Sequence, residues 1–418
     1  MQTQTEMCPK CGLPMPVHPG YVTWCDGCRW NIDPQAAIRK ESALFERLHR
    51  KLGEAASQKL LGEALNRPVR ERRTTAGKAA AFCFAALLYG LVLFMAVLAI
   101  AKFTAGRTIG EWLEGSIYAS AVLLLRPRIF KHKGKIADRG EYPALYKAVD
   151  AVADALHAPR VHGIVINYAY NASFALSGWR RRRLLTVGIP LFAALSTEEK
   201  LAIIAHEMGH NANKDISRGL FVGTVLYSLG RLYTAVYPKT DYSGLIGWLA
   251  PLLGWVRELL SQAILFVWFL LGITVWREMQ RAEYAADYAA AAVVGRESAV
   301  SALHKMYYEP TFYSTLEKVG DYRYTKRLFE EFRNRIVTVP DREIRRITLL
   351  MESETSRLES THPPTPHRVS FLQRQSVTEA GPALDSNDLE AFELEFERIE
   401  AQMEKRILDM YRAYREAS

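Results

Sequence analysis

The sequence predicts a mainly α-helical, polytopic membrane chain with a small β-sheet and an N-terminal zinc ribbon. Three observations predict it. Ala79 to Ala101 is a run of 23 residues without a charge. Apolar stretches return between Gly219 and Trp276, broken by only a few charged residues. Four of the five cysteines stand in the first 28 residues as two Cys-x2-Cys pairs.

Composition sets the outer bounds. At roughly 100–200 residues per domain, 418 residues allow two to four units. The 49% hydrophobic content excludes a disordered, collagen-like or disulfide-rich miniprotein. It does not exclude a membrane protein, because polar domains dilute apolar spans. An odd cysteine count argues against a fully paired secreted framework. The net charge of +9 points to an anionic partner, either nucleic acid or the inner face of a membrane.

The elements follow in chain order. Met1 to Glu6 is polar and does not read as a signal peptide. Cys8, Cys11, Cys25 and Cys28 have the spacing of four thiolates around one structural zinc. Gly12 and Gly27 fit the tight turns of such knuckles. Two disulfides or a redox pair are the alternatives, and disulfides need an oxidising compartment. The ribbon can bind substrate, bind a partner protein or cap the chain. With only Lys10 and Arg29 near its cysteines, it is a thin surface for nucleic acid. Residues 35–77 form a charged linker helix, with Leu44, Leu48 and Leu52 at helical spacing.

The uncharged run would span about 35 Å as a helix, enough for a hydrocarbon core of about 30 Å. Cys83 within it is an inert apolar residue. A weaker segment, Ile109–Leu125, contains Glu111 and Glu114 and reads as a second span. Arg67, Arg70, Arg72, Arg73 and Lys78 precede this hairpin; Arg126, Arg128, Lys131, Lys133, Lys135 and Arg139 follow it. Only Lys102 and Arg107 lie on the connection between the spans. By the positive-inside rule both outer flanks, and with them the N-terminus, are cytoplasmic.

A helix is expected over Tyr142–Ala158. Strands are expected over Val161–Ile166, Tyr170–Leu176 and Leu184–Ile189, with a turn at Ser177-Gly178. The run Arg180 to Arg183 is a solvated hairpin tip or a contact with anionic lipid headgroups. Ser196 and Glu199 form a capping-box pattern that opens another helix. The C-terminal region, 376–418, is an amphipathic helix. Its stripe of Leu389, Phe392, Phe396, Ile399, Met403, Met410 and Tyr414 packs on its own domain or serves as a partner site.

The chemistry centres on His206-Glu207-Met208-Gly209-His210. Positions i and i+4 share a helix face, so both imidazoles reach one ion, and Glu207 can contact a metal-bound water. A catalytic zinc needs a third protein ligand and an open position. Glu283 is the candidate, with Asp287 one turn on as acceptor for a ligand histidine's free N–H. Asp215, five residues past His210, is a second supporting carboxylate. Ala282, Ala285, Ala286 and Ala289 suit close packing around the Glu283 pair.

Together with Thr361-His362-Pro363-Pro364 and Arg368, these motifs resemble the membrane zinc peptidases of the HtpX and CAAX prenyl protease family. Asn171-Ala172-Ser173-Phe174 resembles that family's Asn-Ala-aromatic edge strand with one inserted serine. The resemblance covers roughly residues 70 to 375 and implies a gluzincin-type zinc peptidase domain. It implies that His206, His210 and Glu283 bind the catalytic zinc and that Glu207 is the general base. It implies that His362 and Arg368 steady the tetrahedral intermediate or the peptide. Asn171 and Ala172 would bind substrate backbone by β-addition. The ribbon is not a general feature of the family.

All three ligands must lie on one side of the membrane, so the apolar stretch between His210 and Glu283 crosses an even number of times. Residues 217–237 and 255–276 are the expected crossings, with Tyr242–Val256 interfacial. Arg231 would have to face a cavity or the protein interior. The resulting division is 1–34 ribbon, 35–77 linker helix, 78–125 transmembrane hairpin, 126–216 first peptidase half, 217–277 membrane region, 278–375 second peptidase half and 376–418 C-terminal helix. The expected activity is a zinc endopeptidase acting on unfolded or membrane proteins, multi-pass in the inner cell membrane, with its site cytoplasmic. It would hold two zinc ions, one catalytic and one structural. Polypeptides and anionic lipids are its expected partners, and a protein could bind the ribbon or the C-terminal helix; nucleic acid is not expected. The alternatives are a prenyl-protein protease and a membrane-tethered ribbon adaptor with an inactive peptidase domain.

Overall fold

The computed structural model describes residues 4–34, 45–66, 76–127, 131–132, 134–212, 215–237, 250–321, 327–354, 362–377 and 381–417. Leu44, Arg67, Arg70, Arg72, Arg73, Arg128, Lys133, Thr361 and most of the interfacial segment expected over Tyr242–Val256 fall outside these residues.

The N-terminal unit pairs strands β1 (Thr5–Met7) and β2 (Pro14–Pro16) antiparallel. Gly12 takes a left-handed conformation (φ 74°) at the turn between them, where an L side chain would be strained. Helix α1 (Phe45–Leu65) follows. Then come α2 (Ala76–Ala105) and α3 (Ile109–Leu125) as an antiparallel pair. A capping box between Thr108 and Glu111 starts α3.

Helix α4 (Pro143–Ala155) leads into a three-stranded sheet of β3 (Gly163–Asn167), β4 (Ala172–Ser177) and β5 (Arg182–Gly188). The spatial order is β3-β5-β4, with β3 parallel and β4 antiparallel to β5. β4 is therefore an edge strand. The short α5 (Ile189–Phe192) precedes α6 (Thr197–Ala212), which carries the two histidines. Helix α7 (Asp215–Val236) and the long α8 (Ala250–Val294) come next. The expected crossing over 255–276 thus continues without a break into the segment bearing Glu283. The remainder is helical: α9 (Arg296–Lys305), α10 (Glu309–Gly320), α11 (Leu328–Val337), α12 (Asp341–Glu352), α13 (Thr365–Arg374) and α14 (Ser386–Ala417).

The main core lies between α4, the sheet, α6, the end of α8 and the later helices. The apolar stripe of α14 closes it, with Phe392, Phe396, Ile399 and Met403 buried and the Phe396 ring stacked on Phe192 at 5.4 Å. Beyond Ile407, Leu408 and Tyr411 still pack against the core, while Met410 and Tyr414 are exposed. Buried glutamates of α14 cap other helices: Leu145 N–H donates to Glu395 Oε2 (2.6 Å) and Leu328 N–H donates to Glu404 Oε1.

A second, smaller cluster joins α2, α7 and α8 through Ala81, Ala85, Val225, Leu229 and Leu271. Outside it α2, α3 and α8 expose Leu87, Leu93, Phe94, Ile117, Leu259 and Phe266. Two described helices contain stretches long and apolar enough to cross a membrane, Ala79–Ala105 and Gly254–Val294. Helix α3, at 17 residues, is about 25 Å long and falls short of a full hydrocarbon core. It packs against α2 and α7.

Candidate functional site

The site is built from the start of α6. Ser196 N–H donates to Glu199 Oε2 (2.7 Å), and Glu199 N–H donates back to Ser196 Oγ (3.4 Å). This capping box satisfies N–H groups that have no partner within the helix. The same carboxylate ties α6 to α9, accepting from Ser301 Oγ and Lys305 Nζ, both at 2.6 Å.

Helices α6 and α8 cross at Gly209. A Cβ there would lie 3.0 Å from both Ala286 Cα and Ala289 Cβ, so only glycine against alanines permits this approach. The crossing brings Glu283 to the histidines. His206 Nε2 lies 3.5 Å from Glu283 Oε2, and His210 Nε2 lies 3.4 Å from Glu283 Oε1. Ligand atoms bound at 2.0–2.1 Å to one tetrahedral ion stand about 3.3–3.4 Å apart. The three side chains therefore have the donor set and spacing for a zinc-sized cation. Glu283 Oε2 is buried and makes no hydrogen bond, although His362 Nδ1 stands 2.6 Å away.

Asp287, one helical turn beyond Glu283, faces the other side of His206, with Oδ1 3.0 Å from Nδ1. Arg368 grips Asp287 with two bonds, Nη2 to Oδ1 (2.6 Å) and Nε to Oδ2 (2.9 Å). Burial disfavours charge on His206, but the Asp287 and Glu283 carboxylates outweigh it and push its pKa up to about 10. Burial also opposes the charge of Arg368, and Asp287 again outweighs it and raises the pKa. Such a carboxylate-rich pocket favours a bound cation.

A cleft of about 570 Å³ opens over this cluster. Glu207, His206, His210, Asp287, His362 and Arg368 line it, as do Asn171 and Ala172 at the start of edge strand β4. Asn171 Oδ1 accepts from Ala172 N–H (2.9 Å). His362 is exposed at the mouth. Asp215 begins α7, and its side chain lies outside the described residues. The cleft also contains groups the motifs did not single out. Arg346, Ile347 and Leu350 come from α12, and Tyr307 from the turn after α9. Tyr307 OH donates to Glu354 Oε2 (2.6 Å), which also accepts from Thr365 N–H (2.9 Å). No spacing rule links these residues to the histidine helix; only the tertiary fold does.

The four N-terminal cysteines also converge. Cys8 Sγ is 3.6 Å from Cys28 Sγ, and Cys11 Sγ is 3.5 Å from Cys25 Sγ. Thiolates sharing a tetrahedral zinc at 2.3 Å are about 3.8 Å apart, whereas a disulfide is about 2.05 Å long. Burial raises the Cys8 thiol, but the backbone N–H groups of Lys10 and Cys11 outweigh it and bring its pKa down to about 6. The Leu13 backbone lowers the Cys11 thiol, but hydrogen bonds with Cys25 and Cys28 outweigh it and push its pKa up to about 12, so the four thiols do not all ionise readily by themselves.

The sequence profile described as Peptidase family M48 matches residues 141–376. That span holds both histidines, Glu283, His362 and Arg368; the ribbon, α2 and α3 lie before it. Among curated relatives, a "Protease HtpX homolog" of Pyrobaculum aerophilum is 30% identical over 239 residues, 55% of this chain and 67% of the relative. Its counterpart from Pyrobaculum calidifontis is 30% identical over 243 residues, 56% of this chain and 68% of the relative. "Protease HtpX" of Acinetobacter baylyi is 29% identical over 148 residues, 34% of this chain and 48% of the relative.

Proposed function

The chain belongs to peptidase family M48, and from that membership we propose a membrane-anchored zinc endopeptidase. It would cleave unfolded or membrane-embedded polypeptides on the cytoplasmic side, in protein quality control. The observation that carries the reading is the meeting of His206, His210 and Glu283 at ligand spacing in a cleft that Glu207 also lines.

The zinc that these three residues would hold would supply a Lewis acid, bringing the pKa of water down toward about 7 and polarising a carbonyl. Glu207 accepts the proton of the attacking water and passes it to the leaving amine. Asp287 holds His206 in one tautomer through Nδ1, and Arg368 holds Asp287. With its guanidinium engaged in this way, Arg368 acts as a positioning residue. His362, which lines the same cleft, would donate to the developing oxyanion. The edge of β4 takes the substrate backbone as an added strand, which tolerates many sequences.

Helices α2 and α3 form a membrane hairpin, and α7 with the first half of α8 forms a second pair, in a multi-pass arrangement. The exposed apolar side chains on α2, α3 and α8 support it. The N-terminal ribbon holds a structural zinc. The β4–β5 tip supports a contact with anionic lipid: Trp179 is 85% exposed beside exposed Arg180, Arg181 and Arg182. His132 N–H donates to Ser177 Oγ (2.8 Å), which ties that tip to the segment following α3.

Glu207→Gln tests the mechanism. The variant should keep its zinc and lose cleavage of casein and of itself. Retained cleavage by a zinc-loaded Glu207→Gln protein would sink the proposed chemistry.

A further inference from the structure

The four-cysteine unit touches one element of the cleft wall, helix α12. Arg342 lies over the Trp24 ring, with its guanidinium carbon 4.8 Å from the centroid. The same guanidinium bonds the Asp26 carboxylate and the Trp24 carbonyl. Trp24 and Asp26 flank Cys25, so a ligand position of the ribbon sets the direction of both groups that hold Arg342. One turn further, Arg346 Nη1 donates to Ile32 O (2.6 Å), while Glu343 takes its Nε and Nη2 at 2.8 and 2.7 Å. Arg346 and Glu343 are both buried.

Helix α12 also lines the cleft, through Arg346, Ile347 and Leu350. Just beyond its end, Glu354 caps the first N–H of α13 at Thr365, and α13 carries Arg368 one turn later. Arg346, bonded to the ribbon at Ile32 O and lining the cleft, therefore joins the two directly. Without the ribbon, Arg346 would lose its carbonyl partner and α12 its outer support.

We propose that the ribbon is a buttress for the substrate groove: folded around its metal, it clamps Arg342 and Arg346 and so fixes α12 against the cleft. Arg342 and Arg346 are then positioning residues for substrate, and the ribbon needs no partner of its own to affect cleavage. The inference rests on the reading of the cleft as a peptidase groove. Its mechanical part, that the ribbon orders α12, does not depend on catalysis.

The test uses the full-length chain in detergent or nanodiscs, comparing wild type with Arg342→Ala, Asp26→Asn and Cys25→Ser. Deuterium uptake over 341–352 should rise in all three, while zinc analysis shows loss of one ion in Cys25→Ser alone. KM for a peptide should rise about three- to tenfold in Arg342→Ala with kcat within about twofold, since the groove is displaced and the reacting groups are not. Arg342→Lys, which keeps the charge, should recover part of the KM. Wild-type uptake in Arg342→Ala overturns the buttress, whatever the activity. Increased uptake with unchanged KM overturns the link to substrate. Increased uptake in a wild-type background that hydrolyses no peptide leaves the buttress standing and removes the peptidase reading instead.

Discussion

Replacing Asp287 with asparagine isolates the support beneath the candidate metal site. Asp287 is 2% exposed, takes two bonds from Arg368 and faces His206 Nδ1 at 3.0 Å. The substitution keeps the side-chain shape and removes the charge. Arg368, itself 9% exposed, is left as a buried cation without its counter-ion, which costs about 3–5 kcal/mol of stability. His206 loses the carboxylate that orients it, which weakens metal binding about 10- to 100-fold. The two effects separate in a second variant. Asp287→Asn with Arg368→Gln removes the stranded charge, so most of the stability returns while zinc affinity stays low. Zinc titration against a chromophoric chelator and thermal unfolding in detergent read the two quantities. Wild-type zinc affinity in Asp287→Asn would remove Asp287 from the site. A double variant as unstable as the single one would show that the buried arginine was not the source of the loss.

Other outcomes follow from the same geometry. Gly209→Val should push α6 from α8 and cost about 1–3 kcal/mol, with zinc lost at lower chelator concentration; an unchanged melting temperature and affinity would deny the close crossing at Ala286 and Ala289. His367, whose Nδ1 lies 3.0 Å from Ser57 Oγ, has its pKa lowered by burial, as do His162 and His304. The unfolded chain then binds protons first as pH falls below about 6.5, so stability declines in that window and is fully present above it. Melting curves between pH 7.5 and 5.5 should show a shallower decline in His367→Gln than in wild type, and parallel curves would assign the effect elsewhere. Replacing Trp179 and Arg180–Arg182 with serine should weaken binding of the detergent-free assembly to phosphatidylserine vesicles but not to neutral ones. Equal binding to both would leave the tip a solvated hairpin.

Periodicity and caps made much of the helical part legible. The capping box at Ser196 and Glu199, the three strands around the Ser177-Gly178 turn and the uncharged run from Ala79 are local signals, and their elements appear within a few residues of the expected ends. The histidine helix and the Glu283 segment were legible as motifs, and the alanines around Glu283 do meet Gly209. Partnerships made only in three dimensions were not legible. Glu395 and Glu404 look like the solvated face of a charged helix, yet they are buried caps for α4 and α11. The end of the α14 stripe was not legible either, because Met410 and Tyr414 continue the apolar period and are exposed while Tyr411, off that stripe, packs against the core. Nor does any spacing connect Arg342 to Trp24 across more than 300 residues.

Metal analysis of the purified chain, with activity on casein measured alongside, tests the proposed peptidase site most directly. Two zinc ions per chain are expected. His206→Ala should lose one of them together with all cleavage, and Cys8→Ser should lose the other while cleavage persists at reduced affinity. Full cleavage by His206→Ala would place the chemistry outside the α6–α8 crossing.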